Sequence, residues 1–90
     1  GVLELDAERM SLGRADDNML IISDDSVSSH HGEVSFDGSS WTLTDLGSTN
    51  GTKVSGQTIS SAAIGTDTVI NAGQSEFIFR VIANAGGDLF

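Results

Sequence analysis

Trp41-Thr42-Leu43-Thr44-Asp45-Leu46-Gly47-Ser48-Thr49-Asn50-Gly51-Thr52 is the stretch whose reading decides the fold. Trp41 and Leu43 fall on one side of an alternating run, the period of a half-buried strand. The run ends in a cluster of turn formers. Asn50-Gly51 is the strongest short-range turn signal available to a sequence, because both residues accept the positive φ of a tight primed turn. Ser48, Thr49 and Thr52 add three hydroxyls that a plain hairpin does not need, and Gly47 permits close backbone approach. Read alone, the segment is a polar connection whose Ser and Thr side chains cap their own backbone. Two further polar clusters, Gly13-Arg14 and Ser28-Ser29-His30-His31, also sit at the ends of short apolar strands. Three loops then meet at one edge of a sandwich.

Working outward, residues 31–36 alternate with Val34 and Phe36 inward, and Asp37-Gly38-Ser39-Ser40 turns the chain back into 41–45. These two strands are the clearest hairpin. Upstream, 2–5 and 10–12 read as a second hairpin, and Met19-Leu20-Ile21-Ile22 as an apolar strand covered on both faces or nearly so. Downstream, Lys53-Val54 and Gln57-Thr58-Ile59 flank a tight turn at Ser55-Gly56, and 60–65 is a connection that buries Ile64. Strand 68–70, a turn at 71–74 and a closing strand 77–82 with Phe77, Phe79 and Val81 on one face complete the pattern. Many short strands with regular turns and no sustained helical period predict an all-β antiparallel sandwich. One domain is expected over 1–90, with its core in 2–82 and a tail at 83–90 that frays or pairs at an edge.

The 90 residues hold no cysteine, so neither a disulfide framework nor a thiolate metal site is available. No apolar run approaches the roughly 18 residues of a membrane span, and no signal peptide is recognisable. A soluble, cytoplasmic domain of a larger protein is expected, since the chain starts at Gly1 and ends in a polar tail. With 13 acidic and 4 basic side chains the net charge is -9, a surface that repels nucleic acid and anionic lipid. The four cations, Arg9, Arg14, Lys53 and Arg80, are therefore conspicuous. Asp16-Asp17 and Asp24-Asp25 lack the alternating oxygen spacing of a calcium loop and read as solvated turns. His30 and His31 point to opposite faces of a strand and make a poor metal pair.

Gly13-Arg14, Asn18, Ser28-Ser29-His30-His31, Leu46-Gly47-Ser48-Thr49-Asn50-Gly51-Thr52 and the closing Phe77-Ile78-Phe79, in this order and spacing, resemble a forkhead-associated (FHA) domain. The resemblance runs from about Met10 to Val81. It implies an antiparallel β-sandwich of the SMAD/FHA type that binds phosphothreonine peptides through loops at one end, without a cofactor or catalysis. Arg14, Ser28, Thr49 and Ser29 are then the phosphate-binding residues, Asn50 holds the peptide main chain, and Gly13, His31 and Gly51 are structural. The chemistry agrees. A phosphate of about -2 charge presents three acceptor oxygens, Arg14 offers a permanently charged fork, and the Asn50 amide carries both a donor and an acceptor. The competing reading of Arg14 is a salt bridge to Asp16 or Asp17.

This chain departs from the family pattern in two places. Ser29 stands where many members carry a longer polar side chain, so affinity is expected to fall about tenfold for want of one charged contact. The approach to Gly13-Arg14 is short, so a strand that family members carry there is either missing or built differently. The acidic surface predicts preference for phosphothreonine with neutral or basic flanks. Threonine is favoured over serine by one methyl, on the order of 1 to 3 kcal/mol. Oligomers are left open. A second reading is a phosphate-independent assembly module, as in some bacterial secretion-system proteins; retention of Arg14 with Asn50 argues against it. A Ser28–His31 hydrolase is rejected because no orienting acid accompanies the pair.

Overall fold

A computed structural model describes residues 2, 3 and 9–80. Ten strands follow one another: β1 Val2–Leu3, β2 Arg9–Gly13, β3 Leu20–Ile21, β4 Gly32–Phe36, β5 Trp41–Asp45, β6 Thr52–Val54, β7 Gln57–Ile59, β8 Ser61–Ile64, β9 Thr68–Ala72 and β10 Ser75–Phe79. They form two five-stranded sheets, in the orders β1-β10-β9-β6-β7 and β3-β2-β4-β5-β8. Most pairings are antiparallel. The edge strands β1 and β3 pair in parallel with β10 and β2, while the other edges, β7 and β8, are antiparallel.

The alternation seen in the sequence sets the two inner faces. Val34 and Leu43 lie opposite one another and are fully buried, and Phe36 pairs with Trp41 at the start of the hairpin. Leu12, Ile70 and Phe79 complete the centre with no exposed surface beyond 1%. Each such side chain contributes about 1.5–3 kcal/mol by leaving water. Trp41 is half-buried between Phe36, at 4.6 Å, and Phe79, at 5.8 Å in an edge-on arrangement, so it joins the two sheets. The Ser55-Gly56 turn has positive φ at both residues (51° and 85°), the primed geometry whose twist suits a two-residue hairpin between β6 and β7.

Several sequence expectations are corrected. Val2–Leu3 does not form a hairpin with β2; it adds in parallel to β10 of the other sheet, at Val2↔Ile78 and Leu3↔Phe79. Val2–Leu3 thus forms an edge of the first sheet. The run 19–22 is a short edge strand instead of a doubly covered one. Leu20 and Ile22 pack on the core while Met19 (60%) and Ile21 (48%) are exposed.

Residues 61–64 are a strand paired with β5 rather than a loose connection, with Ile64 opposite Trp41 and buried as expected. β9 continues through Ala72, which confines the following turn to Gly73-Gln74. Asn50-Gly51 does not close a primed hairpin. β5 and β6 belong to different sheets, and only Gly51 of the pair has positive φ (86°), so the segment between them crosses the sandwich. Val81, Ile82 and the tail 83–90 lie outside the described residues.

Candidate functional site

Three chain segments and one turn converge at the end of the sandwich where β2, β5 and β9 finish. His31 is the brace between them. Its side chain is fully buried; Nδ1 accepts the Ser28 N–H at 3.0 Å and Nε2–H donates to the Gly51 carbonyl at 2.8 Å. Both ring nitrogens are used by backbone, which fixes the tautomer and leaves none facing the Ser28 hydroxyl. With Ser28 N–H and the Gly51 carbonyl on its two nitrogens, the ring links two loop segments, and a Ser28 Oγ–His31 bond does not form among the described residues. His30, on the opposite side, is exposed, its Nε2 lying 2.8 and 3.0 Å from the two carboxylate oxygens of Asp17.

Gly13 lets the Arg14 segment lie directly on the serine segment. A Cβ at Gly13 would sit 2.3 Å from the Ser29 carbonyl oxygen. The backbone bonds Arg14 N to Ser28 O (3.0 Å) and Ala15 N to Ser29 O (3.1 Å) stitch the two segments together. Asn18, buried, reinforces them by donating from Nδ2 to the carbonyls of Ala15 (2.8 Å) and Ser29 (2.7 Å). Arg14 Nε donates to the Val27 carbonyl at 3.0 Å. Among the described residues the guanidinium has no acidic partner, so the salt bridge to Asp16 or Asp17 is not formed. Seating through Nε leaves the two terminal NH₂ groups without a hydrogen-bond partner among the described residues, on a segment whose backbone N–H is bonded to the Ser28 carbonyl.

Ser28 and Thr49 meet. The Thr49 N–H donates to Ser28 Oγ at 3.0 Å, across 21 residues of sequence. With its oxygen accepting that bond, Ser28 has its own O–H proton to give. Thr49 and Ser29 are exposed, and their hydroxyls make no hydrogen bond among the described residues. Ser29 enters the framework through its carbonyl, which Ala15 and Asn18 hold; its side chain is not drawn to Arg14. Asn50 donates from Nδ2 to the Ser26 carbonyl at 2.8 Å, which leaves its Oδ1 and one amide hydrogen outward.

The loop carrying Thr49 and Asn50 is shaped by Asp45, a residue the sequence reading did not single out. Its Oδ2 accepts the N–H groups of Gly47 and Ser48, each at 3.1 Å, and its Oδ1 accepts the hydroxyls of Ser48 (2.5 Å) and Thr52 (2.7 Å). Ser48 Oγ in turn accepts the Gly51 N–H at 3.0 Å. Burial pushes the Asp45 carboxyl up, but the hydrogen bonds from Ser48 and Thr52 and from the Ser48 and Gly47 amides prevail and hold it below the ordinary aspartate range. The signal was an Asp followed two and three residues later by Gly and Ser, the pattern of a side chain that caps its own turn.

Ser26 was also missed. Its Oγ accepts the Gln74 N–H at 2.7 Å and donates to Asp24 Oδ1 at 2.8 Å. Asp24 also receives the Ser75 hydroxyl at 2.7 Å. The Ser26 amide, then the Ser75 and Ser26 hydroxyls, keep this carboxyl low. Asp24 is therefore a turn anchor between sheets, not merely a solvated residue. Among the described residues no group of three His, Cys, Asp or Glu side chains is placed to hold a metal ion, and no helix is long and apolar enough to cross a membrane.

A family model for the FHA domain matches residues 10–73, more than half of the chain. Among curated proteins, the FHA domain-containing protein FhaB of Mycobacterium tuberculosis (strain ATCC 25618 / H37Rv) is 46% identical over 50 residues, covering 56% of this chain and 32% of FhaB. The chain thus spans about a third of that relative's length. Among solved structures, one from a structural and functional analysis of phosphothreonine-dependent FHA domain interactions has a TM-score of 0.77 and 35% identity, covering 82% of this chain and 77% of that one. Mycobacterium tuberculosis EmbR in complex with a low-affinity phosphopeptide has a TM-score of 0.81 and 30% identity, covering 84% of this chain and 20% of EmbR. The sandwich, the three converging loops and these matches agree: the chain belongs to the FHA domain family.

Proposed function

We propose that this domain is a non-catalytic reader of phosphothreonine peptides, tethering its parent protein in the cytoplasm to a kinase-modified partner. The observation that carries the reading is the pairing of unspent donors. Arg14 is seated on the Val27 carbonyl by Nε alone, and the neighbouring Ser28 has its oxygen engaged by Thr49 N–H and its proton available. A dianionic phosphate wants such donors from several sides, and charge-assisted bonds to it are about twice as strong as neutral ones. Thr49 and Ser29 stand at the rim with unengaged hydroxyls, and Asn50 presents an amide oxygen and hydrogen to a peptide main chain. The similar domain studied for phosphothreonine-dependent interactions, and EmbR in complex with a phosphopeptide, support the reading. The net charge of -9 favours partners with neutral or basic residues beside the phosphothreonine.

Calorimetric titration with matched threonine and phosphothreonine peptides tests this. Binding of the phosphorylated form alone is expected, and equal, negligible binding of both would end the reading. Arg14→Ala is expected to abolish binding while leaving the melting curve nearly unchanged, since the side chain is exposed and makes one hydrogen bond.

A further inference from the structure

We propose that Asp45 is a positioning residue for phosphopeptide capture: through its four hydrogen bonds it holds residues 47–51 in the one shape that brings Thr49 to Ser28 and turns Asn50 outward. This rests on the functional reading above and deepens it. The loop has no regular structure of its own and crosses between sheets, so nothing in β5 or β6 pairing fixes its path. Asp45 supplies that constraint from both carboxylate oxygens. Oδ2 gathers the amides of Gly47 and Ser48 at the loop's start. Oδ1 reaches Thr52, fully buried at the first position of β6 in the opposite sheet, and the Ser48 hydroxyl. Ser48 passes the constraint on to the Gly51 amide. The Gly51 carbonyl is pinned from the other side by His31 (2.8 Å) and by Gly73 N–H (3.2 Å). Thr49 and Asn50 are left between two fixed points, so their two outward bonds, to Ser28 Oγ and Ser26 O, form without further ordering.

The charge makes the inference decidable. A carboxylate near a site for a dianion, in a chain already at -9, is unfavourable by simple electrostatics, and its removal would then tighten binding. If Asp45 acts by positioning, removal weakens binding instead. Asp45→Asn keeps the shape but removes the charge; with Oδ1 turned to the Gly47 and Ser48 amides, its NH₂ group faces the Ser48 and Thr52 hydroxyls, which lose their carboxylate acceptor. Ser48→Ala keeps the carboxylate and cuts the relay to Gly51.

The test measures phosphothreonine-peptide affinity by calorimetry, amide hydrogen exchange of the free protein, and melting by Trp41 fluorescence. Asp45→Asn is expected to weaken the peptide at least about tenfold. It should also speed exchange at Ser48, Gly51 and Thr49, with the Leu43 and Phe79 amides unchanged. Ser48→Ala is expected to show the same pattern, smaller and centred on Gly51, and carries the test alone if Asp45→Asn does not fold. Unchanged or tighter binding by a folded variant, or loop amides that exchange as in the wild type, would overturn the positioning role while leaving the reader intact. Failure of the wild type to bind the peptide would remove the functional reading itself, and this role with it.

Discussion

Replacing His31 with alanine should strongly destabilise this domain, and the structure gives the size of the effect. The imidazole is fully buried and joins Ser28 N–H to the Gly51 carbonyl. Its loss affects the two partners unequally. Gly51 O keeps the Gly73 N–H at 3.2 Å, whereas Ser28 N–H has no second acceptor among the described residues. A buried donor left unpaired costs about 1–3 kcal/mol. The vacated ring volume adds roughly 1–2 kcal/mol of lost contact, less than a Leu→Ala core cavity because the rim of the loops can relax. The total of about 2–5 kcal/mol is a large part of the roughly 5–15 kcal/mol that a domain possesses. For a chain of this length each kcal/mol lowers Tm by about 4–8 °C, so a fall of at least about 8 °C is expected. Urea denaturation followed by the fluorescence of Trp41, the single tryptophan, measures the energy directly. A loss below about 1 kcal/mol would mean that the ring does not carry the Ser28 and Gly51 bonds, and the account of how the loops are braced would fail.

Gly73→Ala should destabilise by about 2 kcal/mol or more, because the position has φ +59° and a Cβ would lie 2.3 Å from the Ser26 carbonyl; a melting temperature equal to wild type would contradict the close packing of the 73–74 turn on Ser26. Asp24, Asp37 and Asp45 are all held below their ordinary range, chiefly by Ser26, by the Ser40 and Ser39 amides, and by Ser48 and Thr52 overcoming burial, respectively. With folded values depressed, their stabilisation is complete above about pH 4 and is lost as the pH falls through those values. Tm measured against pH should therefore be flat from these groups near neutrality and decline in acid, and Asp45→Asn should shallow the decline. His30→Ala should free Asp17 to compete for the Arg14 guanidinium and weaken phosphopeptide binding a few-fold, on the scale of an exposed ion pair of about 0.2–1 kcal/mol; undiminished affinity would show that Asp17 is no competitor.

The readable part of this chain was whatever depends on neighbours in sequence. The 32–36 and 41–45 hairpin was legible because alternation and the Asp37-Gly38 turn agree, and Phe77 and Phe79 announced an inward face. β8 was not, since Ser61-Ala62-Ala63 has no strand-forming side chains; it becomes a strand because Leu43 and Trp41 accept Ala62 and Ile64 opposite them. β1 was misassigned because its partner lies more than 70 residues ahead, and two residues carry no register of their own. At the site, Arg14, Ser28, Thr49 and Asn50 were legible as a motif, while Asp45, Ser26 and Asp24 were hidden among ordinary turn residues. Their importance lies in bonds such as Ser26 to Gln74, made across 48 residues. Asn50-Gly51 misled for the converse reason: the local preference for a primed turn was overridden once the Asn50 amide was committed to Ser26.

If a domain of net charge -9 is to capture a dianion, as proposed, its attraction must be confined to short range, and the placement of its cations fits this. Arg9 lies 3.8 Å from Glu33 and Arg80 3.0 Å from Asp67, so two of the four are offset by local acids. Asp17, the acid three residues beyond Arg14, is taken by His30. Among the described residues Arg14 alone of the arginines has no acidic partner. At physiological ionic strength charges separated by more than about 8 Å are largely screened. The acidic surface therefore acts mainly on encounter, slowing approach and discriminating against acidic flanks. On the proposed reading, once phosphate is within hydrogen-bond reach the equilibrium rests on Arg14, Ser28 and the loop that Asp45 holds, all on the scale of single bonds. Raising salt should then relieve the barrier to association and weaken the Arg14 contact at the same time, so the two rates move together and the affinity changes less than either.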